Sequence, residues 1–149
     1  MKIAVIGARG LVGTACVKEI AIQNHEAIAL HRNDDVPQNI HGVIIAVPVE
    51  EQEFDVTVID CSRLLQNSTL VMPNIIEVNT ARMRIPNCMA SLIAQALTPL
   101  HEHSTITSIV ATCMQSASGA GWSGAQALKQ NDTEELFGGI LVNNVLPHE

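Results

Sequence analysis

The chain has 149 residues, 47% of them hydrophobic, which is enough for a domain of ordinary size with a real core. Eight basic residues stand against fifteen acidic ones, a formal net charge of −7, and no run of Lys or Arg reverses that sign locally. Nucleic acid and anionic membrane surfaces are therefore not expected partners.

The opening apolar run stops at Gly7, far short of the roughly 20 residues that cross a bilayer. The cysteines at 16, 61, 88 and 113 form no Cys-x-x-Cys pair and have no His spacing suited to zinc. With no secretory leader visible, the reading is a cytoplasmic protein with reduced thiols and no metal. Aromatic residues make up 2% of the chain, and tyrosine is absent, so the core falls to Val, Ile, Leu and Ala. That aliphatic mixture suits a buried parallel sheet.

In chain order, residues 2–6 read as a first strand, closed by Gly7-Ala8-Arg9-Gly10-Leu11-Val12-Gly13. Residues 14–23 read as a helix with apolar Ala15, Cys16, Val17, Ile20 and Ala21. Strands are expected at 27–30, 42–47, 56–59 and 70–72. Their connections are lean for parallel crossovers, which normally take a dozen or more residues and a helix.

From Pro86 the character changes. Residues 89–98 carry Leu92, Ile93, Ala96 and Leu97 on one helical face, with Pro99 marking the end and Cys88 at the amino end. A strand is expected at 106–112, then a small-residue loop at 115–121, a helix at 122–129 and a last strand at 140–146. The expected class is α/β with a parallel sheet.

Two motifs carry chemistry. Glycines at 7, 10 and 13 let a backbone approach a diphosphate whose charge meets the following helix N-terminus, although a tight strand-to-helix turn also uses glycines for steric reasons alone. Arg32, just after the second strand, suits a 2′-phosphate and so NADP, while Asp34 and Asp35 beside it pull the other way. Cys88 at a helix N-terminus lies in positive potential that favours the attacking thiolate, against the ordinary reading of a cysteine as a small core hydrophobe. Cys16 and Cys113 fit that ordinary reading better, and Cys61 lies in a turn beside the presumed nucleotide site. His101 and His103 read as solvating a polar turn, and no proton-transfer residue is identified.

Taken together, Val5-Ile6-Gly7-Ala8-Arg9-Gly10-Leu11-Val12-Gly13, Val58-Ile59-Asp60, Glu77-Val78-Asn79, Pro86-Asn87-Cys88-Met89, Gln115-Ser116-Ala117-Ser118-Gly119-Ala120-Gly121 and Asn144-Val145-Leu146-Pro147-His148 resemble, in order, the aspartate-semialdehyde dehydrogenases. The resemblance implies a reduced Rossmann-like domain over 1–85 and, at 86–149, the beginning of an α+β catalytic and dimerisation domain. It also implies an acylating, phosphorylating oxidoreductase of amino-acid biosynthesis, on the route to lysine, threonine and methionine. Such an enzyme converts aspartyl phosphate and NADPH to the semialdehyde through a cysteine thioester, in a homo-oligomer such as a dimer.

By the same resemblance Cys88 is the nucleophile, Gln115 positions the covalent intermediate, and Asn87 lies beside the nucleophile on the substrate side. Gly7, Arg9, Gly10, Leu11, Val12 and Gly13 form the cofactor turn, with Ser118 and Gly119 near the nicotinamide. The family's phosphate-binding arginine falls on Gln66, and Arg63 takes its place only if the loop shifts. The family's substrate-carboxylate arginine and general-base histidine fall beyond Glu149. The expectation is thus an impaired enzyme of this family or, alternatively, a non-catalytic relative that binds or assembles.

Overall fold

The computed structural model describes residues 1–50, 52–62, 65, 67–72, 75–76 and 78–147. These residues form two compact units, Met1–Ala111 and Thr112–Glu149. The sequence boundary at 85/86 and this division at 111/112 differ, because the helix that starts at Cys88 groups with the sheet.

The first unit is built on a six-stranded sheet whose paired strands all run parallel. The strands are β1 (Lys2–Ile6), β2 (Glu26–Leu30), β3 (Gly42–Ile45), β4 (Thr57–Asp60), β5 (Thr69–Leu70) and β6 (Arg82–Arg84), in the order β2-β1-β3-β4-β6-β5. Helix α1 (Leu11–Ile22) links β1 to β2. β6 went unread because Arg82-Met83-Arg84 offers one apolar position, Met83, which the sheet buries. The strand expected at 70–72 is narrower, at Thr69–Leu70, with Val71 and Met72 buried just after it.

Register explains the core. Ala4 stands beside Val43, Ile6 beside Ile45, and Val43 beside Val58. Period-two alternation puts these residues on one face, where they form a single buried cluster with Leu65. Fully burying a Val or Ile side chain contributes roughly 1.5–3 kcal/mol. Among the described residues the connections flanking β3 carry no helix, as their brevity implied, and they cover this face themselves. Val36 and Ile40 from one, and Val49, Phe54 and Val56 from the other, pack against the cluster. On the opposite face α1 turns Gly13, Cys16, Val17 and Ile20 inward, a helical stripe over β1, where Val5 is fully buried.

Asp60, 1% exposed at the end of β4, is a buried carboxylate with its own cage. Its Oδ1 accepts from Ser62 N–H (2.7 Å) and Ser62 Oγ (2.6 Å), and its Oδ2 accepts from Leu65 N–H (2.8 Å). The carboxylate thereby folds the turn that carries Leu65 back into the core.

Helix α2 (Cys88–His103) runs past Pro99 instead of stopping there. Proline cannot donate to the carbonyl one turn back, but the preceding Thr98 Oγ1 donates to Ala94 O (2.7 Å), and the helix closes at Ser104, whose N–H meets Leu100 O. Its half-buried apolar positions are Met89, Ile93, Ala94 and Leu97, while Leu92, Ala96 and Leu100 are exposed.

Residues 106–112 are not a strand. β-branched residues favour strands only where a neighbour supplies the ladder, and here Val110 is 99% exposed.

The second unit contains a 3₁₀ turn (Ala117–Ala120), helix α3 (Gly121–Gln130) and the short helix α4 (Glu134–Phe137). Gly124 of α3 has no room for a side chain, since a Cβ there would stand 2.0 Å from Ala117 O. The strand expected at 140–146 is a turn, because local polar bonds win. Leu141 N–H donates to the buried Thr133 Oγ1, which itself donates to Gly139 O, and Asn144 Nδ2 donates to Ile140 O, with Asn143 in the left-handed region at φ 53°.

Asp60→Ala removes the acceptor for three donors, each bond to a charged group contributing roughly 1.5–3 kcal/mol, and is expected to lower stability by about 3 kcal/mol or more in urea unfolding. Asp60→Asn keeps one carbonyl acceptor and is expected to cost less.

Candidate active site

In a parallel sheet every strand ends on the same edge, so the loops after the strands share one rim. Along that rim, in spatial order, stand Arg32 after β2, the glycine turn after β1, Val47 after β3, Cys61 after β4 and the Ile85–Cys88 segment after β6. From β1 to β6 is three strand spacings, roughly 14 Å at about 4.8 Å each. That is the scale of a dinucleotide laid across the ends of the strands, where open α/β sheets bind ligands.

The glycine turn is sterically determined. Gly7 adopts φ +84°, and a Cβ there would meet Val47 Cγ1 at 2.5 Å. Gly7 and Ala8 N–H groups both donate to Leu30 O, and Gly10 N–H donates to Gly7 O (3.0 Å). Gly13 lies so close beneath the turn that a Cβ would come within 2.1 Å of Gly7 O. Thr14 Oγ1 donates to Ala8 O (3.1 Å), fixing the entry into α1.

The helix starts from Gly10 with no side-chain cap. Its positive end is therefore not neutralised by the protein's own side chain, which is the electrostatic condition for holding an anion. Leu11 and Val12, 37% and 48% exposed, lie on the first turn, and Arg9 is exposed just before it.

Between the segments that follow β2 and β3 a cleft of about 580 Å³ is lined by Arg32, Asp34, Asp35, Val36, Val49 and Glu50 among others. Asp34 Oδ2 accepts from His31 N–H (2.7 Å), which ties that carboxylate into the turn. Arg32 is exposed, with three acidic residues sharing its cleft.

Cys88 is the first residue of α2 and is exposed. Asn87 caps the helix: its Oδ1 accepts from Met89 N–H (2.9 Å) and from Cys88 Sγ (3.8 Å). One side-chain oxygen thus fixes the helix start and contacts the thiol there. The sulfur is open to solvent at the positive end of a 16-residue helix, not sunk among aliphatic side chains.

Gln115, Ser118 and Gly119 belong to the second unit. Within it the Gln115 side chain folds over Gly119, where a Cβ would stand 2.0 Å from Nε2. Gly119 N–H donates to Ser116 O (2.9 Å), and the hydroxyls of Ser116 and Ser118 hydrogen-bond one another. Arg63, like Gln66, lies outside the described residues. Cys16 is half-buried on the inner face of α1, where its apolar helical position put it, and Cys61 is half-buried directly after β4.

Sheet order, glycine turn and capping helix define a Rossmann-like α/β protein. Among solved structures, aspartate-semialdehyde dehydrogenase II of Vibrio cholerae, complexed with ASA, superposes on 99% of the chain with a TM-score of 0.67 and 20% identity. The aspartate-semialdehyde dehydrogenase of Francisella tularensis matches 92% of it with a TM-score of 0.65 and 17% identity. In sequence, a curated aspartate-semialdehyde dehydrogenase of Prochlorococcus marinus is 40% identical over 63 residues, 42% of this chain and 18% of that protein. The chain spans about half the length of the solved structures, 55% and 51% for these two. No family model matches it.

Among the described residues no group of His, Cys, Asp and Glu is arranged to hold a metal, and no helix is long and apolar enough to cross a membrane.

Asn87→Ala is expected to cost about 1 kcal/mol through loss of the helix cap. Its check is the urea midpoint, with circular dichroism confirming that the remaining secondary structure is kept.

Proposed function

We propose that this chain belongs to the aspartate-semialdehyde dehydrogenases and supplies their dinucleotide site and nucleophilic cysteine. The observation that carries the reading is the shared rim: an uncapped glycine turn and an exposed Cys88 at a helix start, on the same edge of one parallel sheet. The likeness to that family in fold over the whole chain, and in sequence over 63 residues, supports it.

In this reading the pyrophosphate of a nicotinamide dinucleotide rests on the N–H groups at the start of α1, with Gly7, Gly10 and Gly13 giving the close approach. Leu11 and Val12 cover it, and Arg9 adds positive charge. When bound, the cofactor supplies the hydride. Arg32 meets a 2′-phosphate, which makes NADPH the preferred form. The chain's own part is to hold the exposed Cys88 sulfur at the positive end of α2, where Asn87 fixes the helix start, and to present it to a carbonyl of aspartyl phosphate or aspartate semialdehyde. Gln115 orients the bound acyl group, Ser118 and Gly119 border the nicotinamide, and Arg63 contributes to phosphate binding. The protein is cytoplasmic and assembles with a second copy.

Turnover by the chain alone is low. General acid-base help contributes about 10²–10⁴ in rate, and no residue here is assigned that role. A second reading, a relative that binds or assembles without catalysis, keeps the dinucleotide site and makes Cys88 replaceable.

Fluorescence titration with NADPH and NADH tests the site. Leu11→Glu puts a carboxylate at the exposed helix start and is expected to weaken both dinucleotides at least tenfold while leaving thermal unfolding unchanged. Arg32→Gln is expected to weaken NADPH alone. No binding by the folded chain overturns the dinucleotide reading. A rate with semialdehyde, phosphate and NADP equal to that of full-length enzymes overturns the impaired one, and loss of residual turnover in Cys88→Ser separates the catalytic reading from the non-catalytic one.

A further inference from the structure

β6 carries two arginines, and they are not equivalent. Register sets Arg82 beside Val58 and Arg84 beside Asp60, so both belong to the sheet face that holds the buried aliphatic cluster. Arg82 is half-buried and its Nη1 meets Glu53 Oε2 at 2.9 Å, on the connection that also packs Phe54 against that cluster. Arg84 lies two residues nearer the rim and is exposed, and among the described residues its guanidinium makes no ion pair or hydrogen bond. The acid beside it is already engaged, because both oxygens of the buried Asp60 accept from Ser62 and Leu65. Backbone bonds fix the position: Val71 N–H donates to Arg84 O (2.9 Å), and Ile85 N–H donates to Asp60 O (3.0 Å).

From Arg84 the chain passes through Ile85 and Pro86 to Asn87, which is extended at φ −56° and ψ 143°, and so to Cys88. Four residues span at most about 14 Å, and strand side chains lean along the strand direction, here toward the rim. One strand thus delivers an exposed sulfur and an uncompensated cation to the same stretch of rim. The setting is a chain of net charge −7 whose exposed Arg9, Arg32 and Arg84 all lie on that edge.

We propose that Arg84 is the phosphate-binding residue of the Cys88 site, its guanidinium holding the phosphoryl oxygens of the acyl phosphate, or inorganic phosphate in the reverse direction, beside the sulfur. The proposal deepens the reading of Cys88 as nucleophile and rests on it. A planar guanidinium meets two phosphate oxygens at once. An acidic chain repels a phosphorylated substrate except where a local cation reverses the field, and Arg84 supplies that reversal on the strand that leads to the sulfur.

The test compares alkylation of Cys88 by iodoacetate, an anion, with alkylation by the neutral iodoacetamide, in the folded and reduced chain, with peptide mass mapping to separate Cys88 from the other thiols. The ratio of the two rates cancels differences in sulfur exposure and ionisation and reads the local charge. Inorganic phosphate, set against chloride at equal ionic strength, is expected to lower the wild-type ratio. Arg84→Gln is expected to lower it roughly fivefold, the size of one close charge contact in water, and to abolish the response to phosphate. Arg84→Lys is expected to restore most of the ratio. Circular dichroism checks that the variants fold, and the wild-type response to phosphate needs no variant. A wild-type ratio indifferent to phosphate, an unchanged ratio in folded Arg84→Gln, or a phosphate response that survives that substitution overturns the proposal. Acetate acting as strongly as phosphate overturns the assignment to phosphate. No readout uses a dinucleotide or turnover, so failure here is distinct from failure of the underlying reading, which the dinucleotide titration and the Cys88→Ser assay judge.

Discussion

The structure depends on parallel pairing in a single register, above all that of β1 with β3. Ile6 beside Ile45 and Ala4 beside Val43 put the aliphatic residues of both strands on one buried face. A slip of one residue would turn that face to water. Because every pair is parallel, the same register brings the ends of five strands to one rim, and chemistry scattered from Gly7 to Cys88 becomes neighbouring. Core and site are two results of one pairing pattern.

Gly13 shows how closely the two are joined. Its missing side chain lets α1 lie directly on the Gly7 carbonyl, and the helix then covers Val5 with Val17 and Ile20. The same close approach leaves the start of the helix open at the rim. Packing on the sheet and access for an anion thus rest on the same absent methyl group.

Much of this was legible in the sequence because it is written locally. The β1-turn-α1 unit, the strands expected at 27–30, 42–47 and 56–59 and a helix with Cys88 at its amino end all show in apolar runs and glycine spacing. What escaped depends on distant partners. β6 has one inward residue and becomes a strand because β4 and β5 flank it. Residues 106–112 have strand composition, yet composition supplies no ladder. At 140–146 the side chains of Thr133 and Asn144 capture the backbone first. Of the site, glycines and Cys88 were readable as motifs, whereas the close approach of Val47 to Gly7 arises only when β3 pairs with β1.

The helix-free connections around β3 have a consequence of their own. Val36 and Val49 pack on the buried cluster and also line the cleft beside Arg32. Walls and foundations are the same residues. A molecule held in that cleft therefore braces the sheet against unfolding by mass action, and remodelling the cleft for a different occupant draws on the stability of the whole first unit. Evolution has less freedom to change selectivity here than in a fold whose crossover helices separate the two tasks.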